Sequence, residues 1–492
     1  MDYILAIDQG TSSTRAMLYT IEGQLVCSKQ YPITQYYPQP GWVEQDPEEI
    51  WEKTRQAIHE VILECHPSQL LACGLTNQRE TTLIWDKETG QCVYPAIVWQ
   101  DRRTEAFCEA LTKHAPIINS KTGLLPDPYF SASKLHWVLN HVPMAQKLLE
   151  EDRLCFGTID CFLIWRLTGG ASHLTDITNA SRTMLFNIHS ECWDQDLLAL
   201  FEVSPSILPQ VCSSDAHFGT IREELFGVSI PICGVAGDQQ AALIGQRCFS
   251  EGLIKATYGT GGFLLLNTGD KPVMSSHQLL TTIAYRIHGK TAYGLEGSMY
   301  QAGTSVKWLR DELKMISSAG ETEELARGLS SNEGVYFVPS FTGLGAPYWL
   351  STPGALFFGL SRTSNRMHFA RAVLESVCYQ TFDILSCMHE DSGIAPSLLR
   401  VDGGMAVNNW FLQFLASLCG LVVERPKSVE TTSLGAAMLA MIGCGLIQSI
   451  ADLQDRWPCD QTFKVEEHTK ADRASDYQGW QKAINMLKLA YE

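Results

Sequence analysis

A chain of 492 residues is longer than one hydrophobic core ordinarily supports, so its length predicts two to four domains. Apolar residues make up 45% of the sequence and charged residues 18%, which is typical of globular proteins in water. The net charge of −17 argues against a nucleic-acid partner, which would require a basic surface, but it is compatible with a nucleotide held by local donors.

The sequence predicts neither a targeting segment nor a membrane span. The first residues lack a basic segment and Asp8 interrupts the first apolar run, so no signal peptide is expected. The longest stretch of low charge, around residues 434–447, is too short to cross a bilayer. The 16 cysteines form no C-x-x-C pair, which favours reduced thiols. We therefore expect a cytoplasmic protein.

The first predicted element is an apolar strand at residues 4–7, followed by a turn of small and hydroxyl-bearing residues. After Asp8 the turn runs from Gly10 to Ser13, and Arg15 lies just beyond it in a second apolar stretch. Such a turn offers backbone N–H groups and hydroxyls to an anion without a bulky side chain in the way. Alone it is weak evidence for a phosphate site.

Strand and helix signals then alternate, which indicates an α/β fold. A helix is predicted to begin at Asp46-Pro47, with apolar residues at helical spacing after it. Three strands are predicted, at residues 70–75, 96–99 and 232–236. Each is followed at its carboxyl end by a cluster of polar residues. Open α/β sheets keep their sites at such ends.

A second turn of the same kind follows half a chain later. A strand from residue 254 leads into Gly259-Thr260-Gly261-Gly262 and a further apolar stretch. Two such turns predict a duplicated protein that clamps a polyphosphate between two lobes. We place the lobe boundary near Gln246, which gives an N-terminal lobe of residues 1–246 and a C-terminal lobe of residues 247–492.

Six short strings in chain order identify a family resemblance. They are GWVEQDP at 41–47, TNQRETT at 76–82, IVWQDRR at 97–103, NASRTMLFN at 179–187, GDQQAAL at 237–243 and TYGTG at 257–261. Together they resemble the glycerol kinase family of the FGGY carbohydrate kinases, within the sugar-kinase, Hsp70 and actin superfamily. The resemblance implies a two-lobed actin-like ATPase fold with an RNase H-like core in each lobe. It also implies transfer of the γ-phosphoryl group of MgATP to glycerol.

The resemblance assigns roles to particular residues of this chain. Asp238 becomes the general base, whereas its pattern alone favours a helix N-cap. Asp8, otherwise an ordinary turn residue, becomes a Mg²⁺ ligand together with Asp238. Arg15, which pattern alone leaves as a surface strand residue, becomes a catalytic contact to the transferring phosphoryl group.

Two further sets of residues follow from the resemblance. The implied glycerol-binding residues are Arg79, Glu80, Trp99, Tyr129, Asp238, Gln239 and Phe263. The implied nucleotide- and phosphate-binding residues are Thr11, Ser12, Ser13, Arg15, Thr260, Gly303, Lys307, Gly404 and Asn408. From pattern alone, Arg79 and Glu80 would be a surface ion pair, and the aromatic residues would belong to the core.

The chain departs from the family pattern in two places. Lys307 stands where the family often has a glutamine near the nucleotide. Residues 223–229, before the strand that carries the base, include two acids and no arginine, where some bacterial members bind fructose 1,6-bisphosphate through an arginine. We therefore expect weak or no inhibition by that effector, because its phosphates would meet like charge.

Two alternatives to glycerol kinase activity remain open. One is a kinase for another small polyol or sugar, which would differ only in its pocket residues. The other is a non-catalytic nucleotide-binding regulator or assembly protein, which would not need both Asp8 and Asp238. The resemblance also implies a homo-oligomer, either a dimer or a tetramer.

Overall fold

The computed structural model describes residues 2–350, 354–454, 458–466 and 470–490. The elements of the first half, in chain order, are β1 Tyr3–Gln9, β2 Ser13–Thr20, β3 Leu25–Pro32, β4 Glu44–Gln45, α1 Pro47–Ile62, β5 Leu70–Asn77, β6 Leu83–Asp86, β7 Ala96–Ile97, α2 Glu105–Ala110, α3 Ala115–Thr122, α4 Ser131–His141, α5 Pro143–Glu150, β8 Leu154–Gly157, α6 Ile159–Leu167, β9 Leu174–Asp176, α7 Ile177–Ala180, β10 Phe186–Asn187, β11 Cys192–Trp193, α8 Gln195–Leu200, β12 Gln210–Cys212, β13 Thr220–Ile221, α9 Glu223–Phe226, β14 Ile230–Gly237 and α10 Asp238–Gly245.

The second half contributes a further set of strands and helices. They are β15 Leu253–Tyr258, β16 Gly262–Gly269, β17 Leu280–Ile287, β18 Lys290–Met299, α11 Gly303–Asp311, α12 Glu321–Arg327, β19 Tyr336–Val338, β20 Leu356–Phe358, α13 Arg366–Ser392, β21 Leu398–Asp402, α14 Asn409–Cys419, β22 Val422–Pro426, α15 Thr431–Gly443, α16 Ile450–Gln454, β23 Cys459–Phe463 and α17 Lys470–Leu489.

Two large sheets share one core topology. The first has the order β13-β14-β5-β1-β2-β3, and the second has the order β17-β18-β16-β15-β21-β22-β23. In each, a hairpin of antiparallel strands (β1–β2 or β15–β16) is extended on its other side by two parallel strands. The predicted fold, two lobes with an RNase H-like core in each, is confirmed. We call the chain up to Gly245, which carries the first sheet, the first lobe, and the chain from Leu253 onward, which carries the second sheet, the second lobe.

The central strands are apolar on both faces because helices cover both sides of the sheet. Leu5 and Ile7 of β1 pack in the same cluster as Ile58 of α1. Ile4 and Ala6, which point to the opposite face, pack in the cluster that contains α15. In the chain, helix α15 lies between β22 and β23 of the second-lobe sheet, yet it packs against β1, β5 and β14 of the first lobe.

Local signals placed α1 correctly. Asp46 caps the helix by accepting a hydrogen bond from the Glu48 N–H at 2.9 Å, and Pro47 is the first helical residue. The strand expected at 96–99 is shorter than predicted. Only Ala96–Ile97 is extended, and it pairs with β4 outside the main sheet. The chain turns immediately afterwards, where the Asp101 N–H donates to the Val98 carbonyl at 3.0 Å.

The two lobes meet where α10 crosses α15. A Cβ added to Gly435 would lie 1.8 Å from the Ala241 carbonyl oxygen, and one added to Gly245 would lie 1.9 Å from that of Thr431. Both distances are far inside van der Waals contact, so the two backbones touch only because both positions are glycine. Within the described residues, no helix is both long and apolar enough to cross a membrane.

Substitution of Gly435 tests this crossing. We expect Gly435→Ala to lower the free energy of unfolding by at least about 2 kcal/mol, because the new methyl group has no room beside the Ala241 carbonyl. Helix propensity alone would give the opposite sign, by about 1 kcal/mol. Urea unfolding measures the difference.

The matched control for the crossing is Gly320→Ala. Gly320 has helical backbone angles, and the nearest atom to an added Cβ lies 4.0 Å away. We expect a change within about 0.5 kcal/mol for this variant. If both alanine variants unfold like the unaltered chain, close packing at the crossing does not limit stability.

Candidate active site

The carbonyl groups of the first turn accept the hydrogen bonds that hold it in place, and its hydroxyl groups lie near the surface. The Gly10 N–H donates to the Ser13 carbonyl at 2.9 Å, and the Gln45 side chain donates to the Thr11 carbonyl at 2.6 Å. The Thr11 hydroxyl accepts a hydrogen bond from the Trp99 indole at 2.9 Å. Ser12 is exposed at the tip of the turn. The predicted turn is therefore present, and it contacts Trp99, a residue of the predicted acceptor site.

The second turn packs directly against the start of α11. The Gly303 N–H donates to the Gly259 carbonyl at 2.9 Å, and the Thr304 N–H donates to the Thr260 carbonyl at 3.2 Å. A Cβ on Gly303 would lie 2.5 Å from the Gly259 carbonyl oxygen, so only glycine allows this approach. The interaction brings together Thr260 and Gly303, which lie 43 positions apart in the sequence.

The glycine pair after β21 lies beside the same turn. Gly403 has φ +87°, and a Cβ there would lie 2.5 Å from the Tyr258 carbonyl oxygen. Gly404 is exposed, and Asn408 caps α14 by accepting from the Phe411 N–H at 2.9 Å. Lys307 is exposed on α11. Four of the predicted nucleotide residues, Gly303, Lys307, Gly404 and Asn408, thus lie on the second lobe, and Gly303 contacts its turn directly.

Arg15 joins the two lobes at the first turn. Its guanidinium forms ion pairs at 2.5 Å with Asp8 of β1 and at 2.5 Å with Glu430, the residue before α15. Asp8 is buried at the end of its strand. Burial raises the pKa of Asp8, while Arg15 opposes that rise. Arg15 is therefore a partly buried residue with two carboxylate partners, and the alternative of a surface strand arginine is wrong.

Four buried charges form a closed cluster beneath the cleft, which we call the charge cluster: Arg79, Glu80, Arg182 and Glu296. Nη1 and Nη2 of Arg79 donate to the two oxygens of Glu296 at 2.6 and 3.0 Å. Nε of Arg182 donates to Oε1 of Glu80 at 2.6 Å. Nη2 of Arg182 lies 3.0 Å from Oε1 of Glu296. Three members come from the first lobe, and Glu296 comes from β18 of the second.

The charge cluster corrects the interpretation of Arg79 and Glu80 as a surface ion pair. Both side chains are only 2% exposed, and their direct approach is a long one of 3.9 Å. Arg79 is held mainly by Glu296 and Glu80 mainly by Arg182, and both partners are distant in the sequence. Burial raises the pKa of Glu80, whereas the pKa of Glu296, despite its burial, is lowered to about 2 by Arg182 and Arg79. Two positive and two negative charges balance, which makes burial of all four tolerable.

Glu80 also has an unusual backbone conformation. Its φ is +62°, in the left-handed region that non-glycine residues rarely occupy. The Ser131 hydroxyl donates to its carbonyl oxygen at 2.9 Å, and the hydroxyl of Thr82 donates to the same atom at 3.1 Å. Such strain persists where surrounding contacts fix the residue, and it is found preferentially at functional sites.

Three aromatic residues form a wall next to these charges. The ring centroids of Trp99 and Tyr129 lie 5.4 Å apart, and those of Trp99 and Phe263 lie 6.4 Å apart. All three are partly exposed, so they are not simply core residues. The guanidinium of Arg182 lies 5.5 Å from the Tyr129 ring. The pocket therefore has an apolar side and a charged side, as an acceptor with CH and OH groups requires.

Asp238 and Gln239 open α10 at the edge of this pocket. The N-cap residue of α10 is Gly237, and Asp238 is the first residue of the helix. The alternative of Asp238 as an N-cap is therefore wrong. The Asp238 side chain is 30% exposed, and its Oδ1 lies 3.4 Å from Nε of Arg79. Burial raises its pKa, while Arg79 and Lys255 lower it. Gln239 is held by Lys255, whose Nζ donates to Oε1 of the amide.

Two carboxylates are suitable donors for a divalent cation. Among the described residues, Oδ1 of Asp8 and Oδ2 of Asp238 accept no hydrogen bond, and the charge of Asp8 raises the pKa of Asp238. Mg²⁺ is commonly held by one or two carboxylates together with water and phosphate oxygens. The residues therefore fit Mg²⁺ shared with a ligand. No cluster of three or more His, Cys, Asp or Glu side chains that could hold a metal occurs in the described part of the chain.

Four charged residues of the site were not predicted from the sequence: Arg182, Lys255, Glu296 and Glu430. Arg182 and Lys255 lie in or next to strings that carried the family resemblance, but nothing local indicated their partners. Glu296 is a lone charge within a largely apolar stretch of the sequence, and that interruption is the signal that could have identified it. Glu430 gave no signal, because its partner Arg15 lies 415 positions away.

Comparisons with known proteins support a kinase site. Residues 3–245 match the N-terminal domain model of the FGGY family of carbohydrate kinases, and residues 254–444 match the C-terminal domain model. The chain is 50% identical over 491 residues to glycerol kinase 1 of Pseudomonas aeruginosa, covering 99% of each protein. It is 51% identical over 486 residues to the glycerol kinase of Gluconobacter oxydans, covering 98% of this chain and 95% of that protein.

Solved structures show the same similarity. The crystal structure of Plasmodium falciparum glycerol kinase with ADP matches with a TM-score of 0.92 and 37% identity, covering 99% of this chain and 98% of that one. Ligand-bound xylulose kinase from Lactobacillus acidophilus matches with a TM-score of 0.90 and 22% identity, covering 100% and 99%. The latter identity is low enough that it supports the fold alone.

The charge cluster yields a prediction for stability. We expect Glu296→Gln to lower the free energy of unfolding by about 3–5 kcal/mol at pH 7, because two buried guanidiniums lose a carboxylate. The folded pKa of Glu296, about 2, is below the unfolded value of 4.5, so its stabilisation is complete above pH 4.5. Urea unfolding at several pH values should show the two proteins converging as the pH falls below about 4.5.

The matched control for this experiment is Glu52→Gln. Glu52 forms an exposed ion pair with Arg55 at 2.7 Å, three residues along α1. We expect less than about 1 kcal/mol from this change. A Glu296→Gln variant as stable as the control would mean that the cluster is not a net source of stability.

Proposed function

The chain belongs to the FGGY family of carbohydrate kinases and, within it, to the glycerol kinases, and from this we propose that its site transfers the γ-phosphoryl group of MgATP to glycerol. The products are sn-glycerol 3-phosphate and ADP. One observation carries the proposal for the site: a buried set of matched charges faces an aromatic wall, and a carboxylate stands at the edge of the pocket they form.

The charged side of the pocket leaves complementary groups for a polyol. Among the described residues, Nη2 of Arg79 uses only one of its two N–H groups, and Oε2 of Glu80 accepts no hydrogen bond. Arg79 can therefore donate to one hydroxyl oxygen while Glu80 accepts a hydroxyl proton. A matched donor and acceptor discriminate a polyol from a molecule that lacks those hydroxyls. Trp99, Tyr129 and Phe263 cover the carbon side of the acceptor.

Asp238 is the general base in this proposal. Its Oδ2 is free among the described residues, while Oδ1 accepts from the Gln239 N–H at 2.8 Å, which fixes the carboxylate. Phosphoryl transfer requires the attacking hydroxyl to be oriented and its proton accepted. Burial raises the pKa of Asp238, and the neighbouring cations Arg79 and Lys255 oppose that rise. Gln239 would hold a further acceptor oxygen.

The two turns would bind the phosphates of ATP from opposite lobes. Thr11, Ser12 and Ser13 supply hydroxyls and N–H groups on one side, and Thr260 on the other. Arg15 would stabilise the charge of the transferring group, which means that the phosphoryl oxygens compete with Asp8 and Glu430 for its guanidinium. Mg²⁺, held through Asp8 and Asp238, would neutralise phosphate charge.

The second lobe would hold the rest of the nucleotide. Gly303, Lys307, Gly404 and Asn408 would contact the nucleotide there, and the glycines would let the backbone approach a ribose or base closely. We accordingly assign acceptor binding and the base to residues 1–246, and nucleotide binding to residues 247–492. Closure of the lobes on the acceptor would exclude water, which would otherwise consume ATP.

The alternatives differ in what the pocket accepts. Gluconate and xylulose kinases share this fold at 22% identity, so the fold does not choose the acceptor. The glycerol kinases share about half of all positions with this chain, which favours glycerol. A non-catalytic regulator would not need a free carboxylate at Asp238. Homo-oligomeric assembly and cytoplasmic location remain predictions.

The rate of ADP release, compared between candidate acceptors, identifies the substrate. In a coupled assay with MgATP, we expect strong turnover with glycerol and at least about 100-fold lower kcat/KM with xylulose, gluconate or erythritol. Turnover with one of the other acceptors alone would retain the mechanism and reassign the pocket. No acceptor-dependent turnover, with nucleotide still bound, would place the chain among non-catalytic proteins.

Removal of the base tests the mechanism. We expect Asp238→Asn to lower kcat by about 10²–10⁴-fold, because the amide cannot accept the hydroxyl proton, while nucleotide affinity survives. Asp152→Asn is the control, since the Asp152 side chain is 78% exposed and, among the described residues, its ion-pair partner is Lys87. Near-normal turnover of Asp238→Asn would remove Asp238 from the role of base.

A further inference from the structure

Lys255 is a buried cation that the proposed mechanism does not use directly. It lies on β15 of the second lobe with 0% of its surface exposed. Its Nζ donates to Oε1 of Gln239, and it also lies 3.3 Å from the Phe263 carbonyl oxygen. Gln239 and Phe263 are both proposed acceptor-binding residues, and they come from different lobes. One ammonium group therefore holds two parts of the pocket.

The chemistry of the ammonium group decides which end of the Gln239 amide faces it. An ammonium group has three donors and no acceptor, so only the amide oxygen can be its partner. The Nε2 group must then point the other way. Among the described residues, Nε2 of Gln239 has no hydrogen-bond partner, although the residue is only 8% exposed. An NH₂ group without a protein partner, on a residue that is so little exposed, is available to a ligand.

We propose that Lys255 is a positioning residue that fixes the Gln239 amide so that it can only donate hydrogen bonds to the acceptor. The proposal rests on the proposed acceptor site and adds a rule for its specificity. The acceptor must offer an oxygen with free lone pairs next to Gln239. A substrate that carries an ammonium group at that position would meet donors only and would be rejected.

Gln239→Glu is the first test, because it keeps the contact with Lys255 while removing the NH₂ donor. The carboxylate can accept from Lys255 with one oxygen, and the other oxygen then faces the acceptor. We expect the KM for glycerol to rise by roughly tenfold to a hundredfold, as much as in Gln239→Ala or more, with the KM for ATP nearly unchanged. If the amide instead accepts from glycerol, Gln239→Glu keeps a normal KM and the proposal is wrong.

A double-mutant cycle tests whether Lys255 acts through Gln239. In the unaltered background, we expect Lys255→Met to raise the KM for glycerol roughly tenfold, because the freed amide can rotate. In the Gln239→Ala background the same change should raise it less than about twofold. An equal cost in both backgrounds would show that Lys255 acts through its charge or through the fold, which overturns the proposal.

Two further measurements distinguish a wrong proposal from a misfolded variant and from a failure of the proposed function. Arg371→Met removes another buried cation of the second lobe, which pairs with Glu375 at 2.6 Å, and we expect no coupling to Gln239→Ala. If Lys255→Met does not fold, the comparison of Gln239→Glu with Gln239→Ala still decides the amide orientation. Glycerol-dependent turnover of the unaltered chain is measured in the same assay, so its absence would count against the proposed function rather than against the role of Lys255.

Discussion

Burial of two guanidiniums is the constraint on which the rest of the site depends. Arg79 and Arg182 are removed from water, where an unpaired charge would be very costly, so each needs a carboxylate within reach. Glu80 and Glu296 supply them, and Glu296 does so from the opposite lobe. The matched charges therefore orient the pocket and join the lobes at the same time.

Glycine sets the distances between the other parts of the cleft. The crossing of α10 and α15 and the approach of α11 to the second turn both bring backbone against backbone. At the second turn, the carbonyl groups are satisfied by the first N–H groups of α11. The hydroxyl groups of Ser12 at the first turn and Thr260 at the second belong to exposed residues, which suits contact with an anion.

A site assembled this way does its chemistry mostly by position. Asp238, the base candidate, lies 3.4 Å from Arg79, the Thr11 hydroxyl is bonded to Trp99, and Arg15 pairs with Glu430. Each group is thus held by another part of the chain, an arrangement that phosphoryl transfer favours. A xylulose kinase and a gluconate kinase share this fold at 22% sequence identity. The choice of acceptor must therefore depend on a few side chains, and we propose that Gln239, held by Lys255, is one of them.

The sequence by itself determined the elements whose signals are local: the α1 cap, the buried central strands, both turns and the duplicated architecture. It also identified Arg79, Glu80 and Asp238 as site candidates, but not the residues that contact them. Only the tertiary structure decided that Arg79 is paired with Glu296 and Gln239 with Lys255, and that the strand at 96–99 is cut short by a turn. These outcomes depend on which strands and helices pack together, and partners such as Arg79 and Glu296, 217 positions apart, leave no local pattern in the chain.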